Sequence, residues 1–286
     1  MLVEKSFNTG DIVLNYAEGP NNGPLLLLIH GFTNNWRFYQ PIIPYLQARW
    51  HITAPDLRGH GRSDQTPEQY ALGYYYRDLQ NFLDEKLIEP VVLVGHSLGG
   101  VLSSMLASRN REKIRALVLL DPPIFIRRTD NALLPMWETF YKIAKREGTV
   151  HDRIKYIENL NIDTAKGLVK FTDVFSSSYV YYWALNHVDP SILGEMIKSQ
   201  SDEGTAPRFY SWYDPENVLR LIDCPVLLIQ AGIGDTLLDS EVDQVKGWVS
   251  DLVHIKLEHL EHDLGVFNWN PSDVMRPISY FLESFL

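Results

Sequence analysis

Cysteine is almost absent from the sequence, since Cys224 is the single one among 286 residues. An internal disulfide bond is therefore impossible, and the cytoplasm, a reducing compartment, is the expected location. The sequence also lacks any apolar run near the roughly 18 residues that a membrane-spanning helix needs. Glu4 and Lys5 stand where a secretory signal peptide would carry its apolar stretch. These features predict a cytoplasmic protein with no membrane partner.

Clustered positive charge is also lacking. The chain has 26 Lys and Arg residues against 36 Asp and Glu residues, which gives a formal net charge of −10. Nucleic acids and anionic membranes bind clustered Lys and Arg side chains, so neither is an expected partner. No His, Cys and carboxylate residues have the spacing of zinc ligands, and neither a metal nor a cofactor is predicted. The expected partner is a small-molecule substrate, bound by a monomer or a homodimer.

Short apolar runs alternate with amphipathic stretches in the first third of the chain. Hydrophobic residues make up 45% of the sequence and charged residues 22%, as in average globular proteins. Strands are predicted at "LLLLIH" (25–30), "HITAPD", "VVLVG" and "RALVLLD", helices at 36–48, 69–88 and 98–109, and a hairpin over "VEKSF" and "IVLNYA". This alternation predicts an α/β fold with a mostly parallel sheet flanked by helices.

The strand–helix alternation stops after Asp121. It resumes with a strand at "CPVLLIQAG" (224–232), a helix near 239–249, a strand at 252–258 and a closing helix at 271–286. The stretch between is aromatic-rich and helical, without the pattern of a buried strand. Because each flank lacks strands that the other provides, the sequence predicts one α/β core domain from residues 1–121 and 221–286. Residues 122–220 are predicted to form a helical lid inserted into it.

Ser97 lies between glycines in Gly95-His96-Ser97-Leu98-Gly99, after a predicted strand and before a predicted helix. A strand that turns at once into a helix forces the corner residue into a strained conformation, and small residues on both sides let the two elements approach. The hydroxyl then projects from the carboxyl edge of the sheet, where open α/β sheets bind ligands. An idle serine in a simple turn is the alternative, but the strand–helix context favours a nucleophile.

A serine nucleophile needs a base, and the base needs an acid that orients it. Asp235, in a glycine-bearing loop directly after the strand at 224–232, is the preferred acid. Asp121, at the end of "RALVLLD", is the competing candidate. For the base, His262 is preferred over His259 because it lies further into the loop before the closing helix.

Donors for the oxyanion of a tetrahedral intermediate are expected from two backbone N–H groups, those of Leu98 and Phe32. Phe32 lies in the loop after the 25–30 strand, where Gly31 lets the backbone turn inward. Trp36 and Phe125 are predicted to contact the substrate, because their positions relative to these motifs place them near the nucleophile.

The sequence resembles the α/β-hydrolase fold family. The resemblance rests on "HGF" (30–32), "DLRGHGRSD" (56–64), "GHSLGG" (95–100) and the loops that hold Asp235 and His262, which follow in family order over nearly the whole chain. It implies a helical cap at the insertion and a serine hydrolase with Ser97, Asp235 and His262 as its triad. The implied reaction is cleavage of a small to medium carboxylic ester or lactone through an acyl-enzyme intermediate.

Other functions remain open at this point. The same triad serves enzymes that cleave carbon–carbon bonds or amides, and perhydrolases. A non-catalytic, hydrolase-like receptor for a small molecule is a third class. Family members with an aspartate nucleophile, such as epoxide hydrolases and haloalkane dehalogenases, are disfavoured because Ser stands at position 97.

Overall fold

A computed structural model describes residues 2–125, 134–164, 167–201, 213–234, 236–265 and 271–286. The strands in these ranges are β1 (Val3–Asn8), β2 (Val13–Glu18), β3 (Leu25–Ile29), β4 (His51–Pro55), β5 (Val91–His96), β6 (Ile114–Leu120), β7 (Asn161–Thr164), β8 (Gly167–Lys170), β9 (Val226–Ala231) and β10 (Leu252–Leu257). The helices are α1 (Ile43–Leu46), α2 (Leu72–Glu85), α3 (Leu98–Arg109), α4 (Leu134–Ala144), α5 (Val150–Glu158), α6 (Phe171–Val174), α7 (Ser177–Leu185), α8 (Pro190–Ser201), α9 (Pro215–Leu219), α10 (Asp239–Trp248) and α11 (Ser272–Leu282), with 3-10 turns at Trp36–Tyr39 and Glu283–Phe285.

Eight strands form one sheet in the order β1-β2-β4-β3-β5-β6-β9-β10. The β1–β2 and β2–β4 pairs are antiparallel, and every other pair in this sheet is parallel. The predicted α/β class and the mostly parallel sheet are therefore confirmed. Because the carboxyl ends of parallel strands meet at one edge of a sheet, the loops after β3, β5, β6, β9 and β10 share that edge.

Burial on both faces explains the continuous aliphatic runs. All five residues of β3 are buried, and they alternate between two hydrophobic clusters on opposite faces. Leu25, Leu27 and Ile29 pack in the cluster that includes residues of α2 and α3. Leu26 and Leu28 pack in the cluster that includes residues of α1 and α11. Successive strand residues point to opposite faces, so a strand covered by helices on both faces must be apolar at every position.

Between β6 and β9 the chain leaves the sheet. Residues 122–220, called the insert below, contain α4 to α9 and the antiparallel pair β7–β8 in their described parts. A third hydrophobic cluster packs here, with the rings of Phe140 and Trp183 stacked at a centroid distance of 4.5 Å. The β7–β8 pair was not predicted, because its strands are short and largely exposed and so carry no buried apolar run.

The helical pattern at 36–48 corresponds to two short pieces rather than one helix. A 3-10 turn covers Trp36–Tyr39, and α1 begins only at Ile43. Pro41 lies between them and lacks the N–H that a continuous helix would use, while its ring clashes with the preceding turn.

None of the described helices has the length and apolarity that crossing a bilayer requires.

Candidate active site

Ser97 occupies the corner between β5 and α3. Its backbone has φ 51° and ψ −122°, and its N–H donates to the carbonyl of Leu120 at 3.0 Å. A positive φ is uncommon for a residue other than glycine and marks strain that the surrounding structure must hold. The side chain is partly exposed at the carboxyl edge of the sheet. The structure therefore shows the strained corner that the sequence predicts.

Close approach explains the glycines around Ser97. A Cβ atom at Gly95 would lie 2.3 Å from the carbonyl oxygen of Gly99, and one at Gly99 would lie 2.0 Å from that of Ile29. Both distances are far below van der Waals contact, so a larger residue would force α3 away from β5 at the first position and away from β3 at the second. A Cβ atom at Gly31 would lie 2.9 Å from Cβ of Ser97. The loop after β3 therefore runs directly beside the serine.

His262 lies in the loop after β10 and is paired with Asp121 at the end of β6. Its Nδ1 is 2.6 Å from Oδ2 of Asp121, and the exposed fractions of the two side chains are 41% and 2%. The other oxygen of Asp121 accepts a hydrogen bond from the backbone N–H of Ala231 at 3.1 Å. Because the carboxylate accepts the proton on Nδ1, Nε2 of the neutral ring is the nitrogen left to accept a proton.

The acid that the structure places beside His262 is thus Asp121, the competing candidate of the sequence analysis. Asp235, the preferred candidate, lies outside the described residues, and its role stays a prediction. The hydroxyl of Thr236, which sequence reasoning did not single out, lies 3.2 Å from Nδ1 of His262. His259 pairs elsewhere, with Nε2 at 2.8 Å from a carboxylate oxygen of Asp273.

His96 links the serine corner to the histidine loop, and sequence reasoning missed this role. Its Nε2–H donates to the carbonyl of His262 at 2.8 Å, and its ring stacks on Phe38 with centroids 4.4 Å apart. Burial and the neighbouring His262 ring hold the pKa of His96 well below its usual range. A neutral His96 is therefore the form that supports the backbone of His262.

Two more buried histidines hold the loop after β3, residues 30–35, which we call the oxyanion loop. His30 donates from Nδ1 to the carbonyl of Gly31 at 2.8 Å and accepts the N–H of Leu57 at 2.9 Å. His60 accepts the N–H of Thr33 at 3.2 Å. These contacts make the histidines supports for the backbone. In the part of the chain that the structure describes, no group of three or more His, Cys, Asp or Glu side chains could hold a metal ion.

The predicted oxyanion donors lie in segments that adjoin Ser97. Leu98 is the first residue of α3, and amides in the first turn of a helix have no acceptor within that helix. Phe32 follows Gly31 in the oxyanion loop, and its ring contacts Trp137 of the insert with centroids 5.5 Å apart. The insert thus packs against the segment that would hold the oxyanion.

The two predicted substrate contacts have other partners in the structure. The indole Nε1–H of Trp36 donates to a carboxylate oxygen of Glu4 at 2.8 Å. The ring of Phe125 lies against Trp248, with centroids 5.5 Å apart. These contacts describe where each ring packs, and the substrate-binding role of both residues stays a prediction.

Stability should depend on pH through the buried His60. Burial lowers its pKa from 6.5 to about 4, so between these pH values the unfolded chain binds a proton that the folded protein excludes. The free energy of unfolding should therefore fall as the pH decreases through this window, with up to about 1.4 kcal/mol per pH unit from this side chain. Urea unfolding of the wild type and His60→Gln at pH 4 to 7 should give a smaller slope for the variant. Equal pH slopes of the free energy of unfolding in the two proteins would contradict the lowered pKa of His60.

Comparison with known proteins adds to this geometry. The sequence model of the protein family described as alpha/beta hydrolase fold matches residues 24–263. The chain belongs to this family. It is 33% identical over 119 residues to 2-(acetamidomethylene)succinate hydrolase of Mesorhizobium japonicum, a match that covers 42% of each chain. It is 36% identical over 138 residues to epoxide hydrolase 3 of Siraitia grosvenorii, covering 47% of this chain and 42% of the relative.

A match over the full length comes from the solved structures. The structure of E-2-(acetamidomethylene)succinate hydrolase superposes with a TM-score of 0.75 and 18% identity, covering 99% of this chain and 100% of that one. At this identity the likeness shows the shared fold. The sequence matches above span less than half of the length of the two curated relatives. These relatives and structural neighbours are α/β-hydrolase enzymes, as the family resemblance implied.

Proposed function

We propose that this family member is a serine hydrolase that cleaves a small to medium carboxylic ester or lactone through an acyl-enzyme intermediate. The observation that carries the proposal is the 2.6 Å hydrogen bond between Nδ1 of His262 and Oδ2 of Asp121. That bond orients the imidazole of His262 so that Nε2 is the nitrogen left to accept a proton, on the same edge of the sheet as the strained Ser97.

Each group has a defined role in the proposed reaction. Oγ of Ser97 bonds to the carbonyl carbon of the substrate while Nε2 of His262 takes its proton, and Asp121 stabilises the resulting imidazolium. The N–H groups of Leu98 and Phe32 donate to the oxyanion, where removing a single donor typically costs about 10²- to 10³-fold in kcat. His262 then protonates the leaving alcohol. Water, activated by the same histidine, hydrolyses the acyl-enzyme.

A second candidate reaction is cleavage of an amide-type bond. The partial match to a hydrolase of 2-(acetamidomethylene)succinate favours it, because that substrate name contains an acetamido group. The same serine, histidine and oxyanion donors would act on either carbonyl. The leaving group differs, since an amine needs protonation by His262 more strongly than an alcohol does.

Turnover of an ester series tests the proposal. We expect p-nitrophenyl esters from acetate to octanoate to be hydrolysed with a maximum of kcat/KM at one chain length, because a bounded acyl pocket excludes longer chains. The matching p-nitroanilides serve as the amide controls. Hydrolysis of the anilides alone would replace the ester proposal with the second candidate. A folded protein that cleaves neither series, and no lactone, would contradict both.

A further inference from the structure

Thr33 is the most strained residue of the oxyanion loop. It directly follows Phe32 and has φ 66°. A β-branched residue at positive φ is a genuine outlier, which persists only where its surroundings hold it in place. Its N–H is held by His60 of the core, and its carbonyl accepts a hydrogen bond from Nδ2 of Asn186 in the insert. The core and the insert thus hold opposite sides of this residue.

Asn186 bridges two positions of the oxyanion loop with one buried carboxamide. The residue is 2% exposed, and its Oδ1 accepts a hydrogen bond from Nδ2 of Asn35 at 2.7 Å. Because the Thr33 carbonyl can only accept, it fixes which end of the carboxamide faces it. The N–H of Asn35 donates to the hydroxyl of Tyr182, also in the insert, at 3.0 Å.

The backbone of Asn186 is itself anchored. The buried guanidinium of Arg153 donates to the carbonyl of Asn186 at 2.9 Å and to that of Trp183 at 3.1 Å, which places a cation at the carboxyl end of α7. The next residues pair with the core, where the N–H of Gly61 donates to the carbonyl of His187 at 2.7 Å. Because its backbone is held by these hydrogen bonds, Asn186 can hold the oxyanion loop in a fixed position.

We propose that Asn186 is a positioning residue for the oxyanion loop. Its hydrogen bond to the strained Thr33 maintains the path of the loop and so the direction of the Phe32 N–H. The insert then supplies part of the support for transition-state binding. This inference rests on the proposed function, because it takes the Phe32 N–H to bind the oxyanion.

Removing the Asn186 hydrogen bond should weaken binding of the transition state and leave binding of the substrate unchanged. Losing an interaction that strengthens only when the oxyanion forms lowers kcat without raising KM. Loosening a donor should cost less than removing it, so we expect kcat to fall by about tenfold to a hundredfold. The affinity for an alkylboronic acid, which forms a tetrahedral adduct with the serine, should fall by a similar factor.

Asn186→Asp is the variant that tests this most closely. It keeps the size of the side chain and one acceptor oxygen, but it replaces the Nδ2 donor with an oxygen facing the Thr33 carbonyl. Asn159→Asp is the matched control, because Asn159 is exposed on the insert and its side chain donates to the Lys155 carbonyl at 2.7 Å. Asn186→Ala, which adds no charge, serves if the aspartate variant does not fold.

We expect the Asn186 variants to show the fall in kcat and in boronic acid affinity with KM within about twofold of the wild type, and the control to match the wild type. Wild-type kcat, or equal losses in the control, would overturn the inference. Hydrogen exchange gives a readout independent of catalysis, and exchange at residues 30–36 should be faster in the Asn186 variants alone. If the wild type cleaves no ester, the proposed function fails, and unchanged exchange at 30–36 would separately overturn the anchoring by Asn186.

Discussion

Replacing Ser97 with alanine is expected to abolish ester hydrolysis while the protein stays folded. The substitution removes the attacking oxygen, and losses of about a million-fold in kcat are typical when a triad serine is removed. The Cβ atom is retained, so the strained corner between β5 and α3 keeps its packing. Steady-state turnover and a thermal melt of the same sample measure the two effects separately.

The matched control is Ser108→Ala in α3, the helix that Ser97 precedes. The Ser108 hydroxyl is buried and donates to the carbonyl of Met105 at 2.9 Å, so its removal changes a local hydrogen bond and leaves the corner intact. We expect turnover within a few-fold of the wild type and a stability loss of about 1 kcal/mol. Activity above about one per cent in a clean preparation of the Ser97 variant would contradict the role of Ser97 as nucleophile.

Asp121→Asn is expected to lower kcat by about 10⁴-fold. The carboxylate accepts the Nδ1 proton of His262 at 2.6 Å, whereas the amide nitrogen of asparagine would donate to Nδ1. The histidine would then carry its proton on Nε2 and could not accept one from Ser97. The variant keeps the size of the side chain and an oxygen for the N–H of Ala231, so the loss should appear in kcat with little change in the melting temperature.

The same substitution at Asp235 distinguishes the two candidate acids. With Asp121 as the acid, Asp235→Asn should leave kcat within a few-fold of the wild type. A large loss at Asp235 together with a small loss at Asp121 would place the acid in the loop after β9, as the sequence predicts.

The buried strands could be predicted from the sequence because nearly every one of their positions carries an apolar residue. "VVLVG" was predicted as a strand, and β5 spans Val91–His96 with all six residues buried. The serine corner could be predicted for a related reason, since its glycines are required by contacts within the same short segment. The fold and the location of Ser97 are both encoded locally.

The acid could not be decided in this way. Asp121 follows β6, Asp235 follows β9, and these two strands are neighbours in the sheet. Both loops therefore open at the same edge, and each carries an aspartate within four residues of the end of an apolar strand. In the structure Nδ1 of His262 is directed at Asp121, and the orientation of that side chain depends on tertiary contacts that the sequence does not show.

The residues that hold the site in place, His96 and Asn186, also could not be predicted from the sequence. His96 bonds to the backbone of a residue 166 positions later, and Asn186 bonds to one 153 positions earlier. A lone histidine next to a serine, or an asparagine after a helix, carries no signal of its distant partner. The roles of His96 and Asn186 can be recognised only in the structure, from their hydrogen bonds to the backbone of His262 and of Thr33.

Labelling with a fluorophosphonate, followed by peptide mapping, tests the central claim most directly. The reagent bonds far faster to a serine whose proton is taken by a nearby base than to an ordinary serine, so rapid labelling identifies the activated nucleophile. We expect one adduct, on Ser97, that is lost in the Ser97→Ala variant and forms far more slowly in Asp121→Asn. A folded wild-type protein with no adduct, or with the adduct on another serine, would contradict the assignment of Ser97, His262 and Asp121 as a catalytic unit.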